Sequence, residues 1–120
     1  MSDAEKRPLT AYKVLTADQM ATLERDGTFA GAPVDLEDGF VHLSTADQLA
    51  ETVGKHFAGQ DDLHLVAVDL AAYADALRWE PSRGGQLFPH LYAPLLLETA
   101  IAYSPLQRHD DGSIRLPVAG

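Results

Sequence analysis

The sequence predicts an α+β domain with a small split antiparallel or mixed β-sheet core and two main helices. Three observations predict it. Short apolar runs recur along the chain, the strongest being Leu63-His64-Leu65-Val66-Ala67-Val68-Asp69, β-branched in part. The capping signal Thr-Ala-Asp-Gln occurs twice, at 16–19 and 45–48, each time after a strand pattern and before a helical one. Both helices therefore fall early, and the strands that follow lack the regular helix alternation of βαβ winding. With 120 residues, 46% of them hydrophobic, residues 1–120 form one domain with one core.

Taken in order, residues 1–9 are polar and read as a frayed tail. Ala11-Tyr12-Lys13-Val14-Leu15 alternates as a first strand. Thr16 and Gln19 form a capping box, Met20 and Leu23 share a helical face, and Gly27 stops that helix near residue 26. Gly31, Pro33, Asp35, Asp38 and Gly39 make residues 28–39 a loop with room for one helical turn. Phe40-Val41-His42-Leu43 is a short strand. The second box, Thr45 to Gln48, opens a helix carried by Leu49, Val53, His56 and Phe57 and ending near Gly59. Asp61-Asp62 turns the chain into the strand Leu63–Asp69, and Ala-rich Leu70–Ala76 supplies one or two helical turns. Leu77-Arg78-Trp79-Glu80 is a strand stopped by Pro81. From Arg83 to Leu95, a Gly pair and two prolines predict a shaped loop that presents His90 and Tyr92, since Pro lacks a donor and Gly carries an entropic cost. Leu95 to Ala102 reads as a strand, and Asp110-Asp111-Gly112 as a hairpin turn that lets Ile114-Arg115-Leu116 pair back as an edge strand.

Composition excludes several chemistries. There is no cysteine, hence no disulfide, thiolate metal site or cysteine nucleophile. No apolar run is long enough to cross a bilayer and no signal core opens the chain, so a cytoplasmic protein without a membrane partner is expected. The net charge is −9 and the nine Lys and Arg are scattered, which argues against a nucleic-acid partner and supports solubility; a small-molecule ligand is expected from the site residues below.

The candidate chemistry lies in the later strands and loops. His42 faces away from Val41 and Leu43, and Ser44 shares its side if the strand continues. Ser44 and Thr45 lead into a helix N-terminus, whose free N–H groups suit a polar ligand. The alternative for His42 is a half-buried ring bonded to backbone. Glu80 ends a strand before Pro81, where a carboxylate can hold a ribose hydroxyl or orient a nucleophile; its alternative is an exposed ion pair with Arg83. His90 and Tyr92 alternate and share a face if extended, and Tyr12, Phe40, Phe88 and Tyr92 are candidates for a stacking wall for a flat ring, their alternative being core packing, more so for Phe40 and Phe88. The five histidines lack metal-ligand spacing, so a divalent-metal site would need His42, His90 and Glu80 to converge from a distance. No Gly-x-Ser-x-Gly elbow surrounds Ser44 as a hydrolase nucleophile.

Three segments together carry a resemblance: Gly39-Phe40-Val41-His42-Leu43-Ser44-Thr45, Trp79-Glu80-Pro81, and Leu87-Phe88-Pro89-His90-Leu91-Tyr92-Ala93-Pro94-Leu95. Over roughly residues 11–105 the chain resembles an uncharacterised bacterial family, domain of unknown function number 952, which is remotely similar to the ADP-ribosyltransferase-like fold. Val41-His42-Leu43-Ser44 is also similar to the His-Val-His-Leu-Ser of RNA 2′-phosphotransferases, which use NAD. The resemblance implies a split sheet around a nicotinamide–ribose cleft and cleavage of the nicotinamide glycosidic bond through an oxocarbenium-like state. It implies His42 and Glu80 as catalytic residues, and Lys13, Ser44, Thr45, Arg83, His90 and Tyr92 as ligand-binding ones, with NAD as the cofactor. The chain departs from the family's pattern in having Tyr12-Lys13 where a Tyr-His is usual, and Ala93 where glycine is usual. Lysine keeps a donor but lacks the flat imidazole. Loss of that histidine favours the alternative of a non-catalytic module that binds a nucleotide or sugar.

Overall fold

A computed structural model describes residues 8–111 and 113–117 and, within them, every side chain but that of Arg83. Strand β1 (Thr10–Thr16) leads into helix α1 (Ala17–Asp26). The box between them closes both ways: Thr16 Oγ1 accepts from Gln19 N at 3.2 Å, and Gln19 Oε1 accepts from Thr16 N at 3.0 Å. Gly27 ends α1 at φ 73°, its N–H donating to Leu23 O. Then come β2 (Thr28–Phe29), α2 (Pro33–Asp38), β3 (Val41–His42), a 3₁₀ turn at Ala46–Gln48 and α3 (Leu49–His56). Gln48 works twice at this junction. Its Oε1 accepts from Thr45 N, and its Nε2 donates to Leu87 O.

The second half is strand-rich, as expected. Strand β4 (Leu63–Asp69) is followed by 3₁₀ turns at Leu70–Ala72 and Ala74–Ala76, then β5 (Leu77–Pro81) and β6 (Leu87–Leu91). β7 (Leu95–Leu96), β8 (Ala100–Pro105) and the pair β9 (Gln107–Arg108) and β10 (Ile114–Arg115) complete the order. The β9–β10 pairing matches the expected edge hairpin, although Gly112 of its turn lies outside the described residues, as does most of the expected tail.

The strands form two main sheets, both antiparallel, in the orders β1-β4-β8 and β3-β6-β5, with β2-β7 and β9-β10 as small extra pairs. The main sheets touch through one isolated bridge. Tyr12 N donates to Ser44 O at 2.7 Å and Ser44 N to Tyr12 O at 2.9 Å. The core is split accordingly. One cluster joins Ala11, Leu15, Val66 and Val68 of the first sheet to Val41, Leu43 and Leu91 around the second, under Met20 and Leu23 of α1. The other joins Val14 and Leu65 on the opposite face of the first sheet to Leu49 and Val53 of α3. This period-two division leaves β4 buried on both faces, which explains its continuous apolar run.

Two expectations are corrected. The loop from Arg83 to Leu95 contains a strand, β6, and that strand is central in its sheet. Pro89 is tolerated because its carbonyl, which accepts from Leu43 N at 3.2 Å, lies on the β3 side. The missing N–H therefore falls just past the end of two-residue β3, and the β5 ladder loses nothing. The single strand expected over Leu95 to Ala102 is broken by a 3₁₀ turn at Leu97–Thr99. Thr99 Oγ1 donates to Leu96 O at 2.7 Å and holds that turn, so β7 pairs with β2 while β8 crosses to β4.

Candidate functional site

Strand alternation and register assemble one polar face on the second sheet. His42 pairs with His90, His90 with Arg78, and Phe88 with Glu80, so all five side chains share a side. At the Tyr12–Ser44 bridge this side runs on into the face of β1 that carries Tyr12, Val14 and Thr16. The two sheets part there, and a cleft of about 620 Å³ opens between them. Its floor is Tyr12, His42, Ser44, Phe88 and His90; its walls are Pro33, Val34 and Asp38 of α2 and Thr52, His56 and Phe57 from α3 onward.

Beneath the cleft lies a buried ionic knot. Lys13 falls on the same side of β1 as Ala11 and Leu15 and is 5% exposed; Asp35 is 1% exposed. Lys13 Nζ donates to Asp35 Oδ2 at 2.9 Å and to His42 O at 3.1 Å. The same carboxylate accepts from Ala32 N at 2.7 Å, from His42 N at 3.0 Å and from His42 Nδ1 at 2.6 Å. Burial by itself would raise the Asp35 carboxyl, but the His42 bond and the Lys13 charge outweigh it and hold it far below the ordinary carboxylate range. Burial lowers the Lys13 ammonium against the pull of Asp35. His42 Nε2 in turn meets Asp38 Oδ2 at 3.0 Å, and that carboxylate is 45% exposed.

A second set surrounds His90. Its Nδ1 lies 2.9 Å from Glu80 Oε1, and Tyr92 OH donates to the same oxygen at 2.6 Å. Phe40 stacks on the His90 ring, centroids 4.0 Å apart and planes 21° apart, and the His42 and His90 rings meet edge-on at 5.7 Å. The Tyr92 hydroxyl, then His90, hold the Glu80 carboxyl below its ordinary value, and Glu80 raises Tyr92 in return. Arg78 lies over the Tyr92 ring at 5.2 Å.

The sequence profile of the family described as "Protein of unknown function (DUF952)" matches residues 14–103. The chain belongs to this family. Among solved structures it is similar to protein CC0527 from Caulobacter crescentus: the crystal structure superposes with a TM-score of 0.81 at 42% identity, covering 89% of this chain and 94% of that one. The solution NMR structure of the same protein superposes at 0.76 and 41% identity, covering 89% and 91%. No curated protein matches the chain.

Against this DUF952 fold, the residues singled out from sequence divide into three groups. Lys13, His42, Ser44 and His90 come together at the cleft. Ser44 Oγ pairs with Thr52 Oγ1 at 2.8 Å. Glu80 and Tyr92 stand one layer out, outside the lining, and reach the cleft through His90. Thr45 sits at the helix start, also outside the lining, and the Arg83 side chain lies outside the described residues. Among the described residues no three His, Asp or Glu side chains are placed to hold a metal ion, so the His42, His90 and Glu80 site is not formed. Each imidazole turns Nδ1 to its own carboxylate instead. In the sequence, Asp35 and Asp38 read only as loop residues. The available signal was Lys13 itself, because a lysine on the apolar side of a strand demands a buried carboxylate.

Proposed function

We propose that this protein is an ADP-ribosyltransferase-like enzyme whose cleft takes NAD, or a related ADP-ribosyl or nucleotide ligand, and acts on the nicotinamide–ribose bond. One observation carries the reading: a cleft at the parting of two antiparallel sheets, with two carboxylate-held histidines and a serine on its floor beside Phe57 and Phe88. About 620 Å³ is the size of a small-molecule site. The ribose hydroxyls meet His42 and Ser44. Asp38, half in solvent, gives up His42 Nε2 to the ligand, and the Ser44–Thr52 hydroxyl pair re-pairs with it. Tyr12 and Phe57, both half-buried, offer faces for the flat nicotinamide. Bond cleavage needs little beyond this, since a pyridinium is a good leaving group once the oxocarbenium-like ribose is held and water is kept out.

A non-catalytic binding module is the second reading, favoured by the neutralised Lys13, whose ammonium is committed to Asp35 and His42 O and is not free to meet a ligand. An NMR titration with NAD, followed for hours beside His42→Ala, separates the two. Shifts at His42, Ser44 and His90 with free nicotinamide appearing support the enzyme. The same shifts without cleavage support the module. If millimolar NAD moves neither the spectrum nor the melting temperature, both NAD readings fail.

A further inference from the structure

The cleft contains one buried polar edge that the ribose contacts leave unused. His90 is 5% exposed and lines the cleft. Its Nδ1 is turned to Glu80 Oε1 at 2.9 Å, and Phe40 covers one ring face at 4.0 Å. The part of the ring left to meet a ligand is the Nε2 edge. His42 differs, because Asp35 and Asp38 engage both of its nitrogens.

We infer that His90 is the general base of this cleft, that Glu80 and Tyr92 position it, and that the acceptor it serves is a hydroxyl, water included. The inference rests on the NAD reading above. A carboxylate at Nδ1 fixes the proton there and leaves the Nε2 lone pair toward the acceptor. Tyr92 OH, donating to the same Glu80 oxygen at 2.6 Å, holds the carboxylate in place. In the step, the bond from ribose C1 to the nicotinamide nitrogen breaks and its electron pair neutralises the pyridinium. The acceptor oxygen bonds to C1, and its proton passes to His90 Nε2. Charge and atoms balance without a further reactant. A hydroxyl needs such a base because it is a weak nucleophile until the proton leaves. An anionic acceptor needs none, and it would meet Asp38 on the cleft wall in a chain of net charge −9.

The test joins a tautomer measurement to an activity measurement. Long-range ¹H–¹⁵N spectra of the free protein should show His90 protonated on Nδ1 and bare on Nε2. A proton on Nε2 in the wild type overturns the assignment whatever NAD does. His90→Gln keeps a donor for Glu80, so the fold should hold, as its melting temperature will show. It should keep the NAD-induced shifts yet release nicotinamide about 100-fold more slowly. Wild-type release by this variant overturns the base. Glu80→Gln should lower the rate and, in the same long-range spectra, let the His90 proton spread from Nδ1 to Nε2, because the carboxylate that fixes it on Nδ1 is gone; an unmoved tautomer overturns the positioning role. With methanol and acetate as competing acceptors, the methyl glycoside of ADP-ribose should form, and a preference for the acetyl ester overturns the hydroxyl. If wild-type protein neither binds nor cleaves NAD, the NAD reading fails and the base falls with it; if wild type cleaves NAD and His90→Gln cleaves it as fast, the base alone is overturned.

Discussion

Lys13 and Asp35 are the residues most tightly constrained by their surroundings. A buried carboxylate with four hydrogen-bonding groups around it is stabilised only while every partner remains. Lys13→Met should therefore destabilise the protein by about 3–5 kcal/mol, because it strands the Asp35 charge in the interior. Lys13→Met with Asp35→Asn should recover part of that loss, since the amide is neutral and its one oxygen keeps an acceptor for His42 N, although Ala32 N, which bonds the other carboxylate oxygen, loses its partner. Urea denaturation of both single variants and the double measures the coupling, and additive losses would contradict it. The direction of the Asp35 shift also sets a pH dependence. Its folded carboxyl titrates well below the unfolded value, so its contribution is fully present above that ordinary range and drains away as pH falls below about 4. Denaturation midpoints from pH 6 to pH 2 should decline in wild type and flatten in Asp35→Asn. In the sequence, His42 with Ser44 and His90 with Tyr92 could be read as same-side pairs, because residues two apart in a strand share a face, whereas the register that adds Glu80 is tertiary. Asp35 could not be read there, as the group it neutralises is 22 positions away.

At the scale of elements, short-range chemistry explains what starts and stops, and long-range pairing explains the exceptions. Both Thr-Ala-Asp-Gln boxes open helical segments, since a capping box needs only four adjacent residues. The short helix α2 depends instead on the approach to it. Gly31 has φ +139°, and a Cβ there would meet Asp35 Cβ at 2.8 Å. Gly39, at φ +87°, caps the other end with open space around it. Gly31→Ala should cost about 2 kcal/mol or more, from the strained backbone and the displaced carboxylate together, against about 1 kcal/mol for Gly39→Ala. The two variants separate by denaturation midpoint, and equal losses would mean that the Asp35 contact does not matter. Pro89 shows the limit of local rules. Proline argues against a central strand, yet its missing N–H here faces a neighbour that has already ended.

In the whole molecule, two apolar clusters lie on opposite faces of the β1-β4-β8 sheet, and β4 is paired on both edges and covered on both sides. Amide hydrogen exchange should be slowest at Leu65–Val68 of β4 and faster in two-residue strands such as β9 and β10. Comparable protection in both places would mean that the sheet does not open as this packing implies. The net charge of −9 is spread over a body with a radius of gyration of 13.7 Å. Raising salt from about 10 to 150 mM should increase the melting temperature modestly by screening that repulsion. The Lys13–Asp35 pair, out of reach of solvent, should contribute equally at both salt concentrations.

What the sequence determined by itself was local or periodic: an α+β composition, the two helix starts, the β4 strand, and the same-side pairs His42 with Ser44 and His90 with Tyr92. Those depend on neighbours within four residues, or on a period of two, and need no knowledge of the fold. Tertiary structure alone decided which strands pair, that β6 is central despite Pro89, and that Leu95 to Ala102 divides between two sheets. It also decided that Lys13 meets Asp35 beneath the cleft, and that Glu80 and Tyr92 support His90 from behind. Each of these is a contact between distant segments, fixed by the need to satisfy a buried charge or an open strand edge, and that need becomes visible only once the chain has closed on itself.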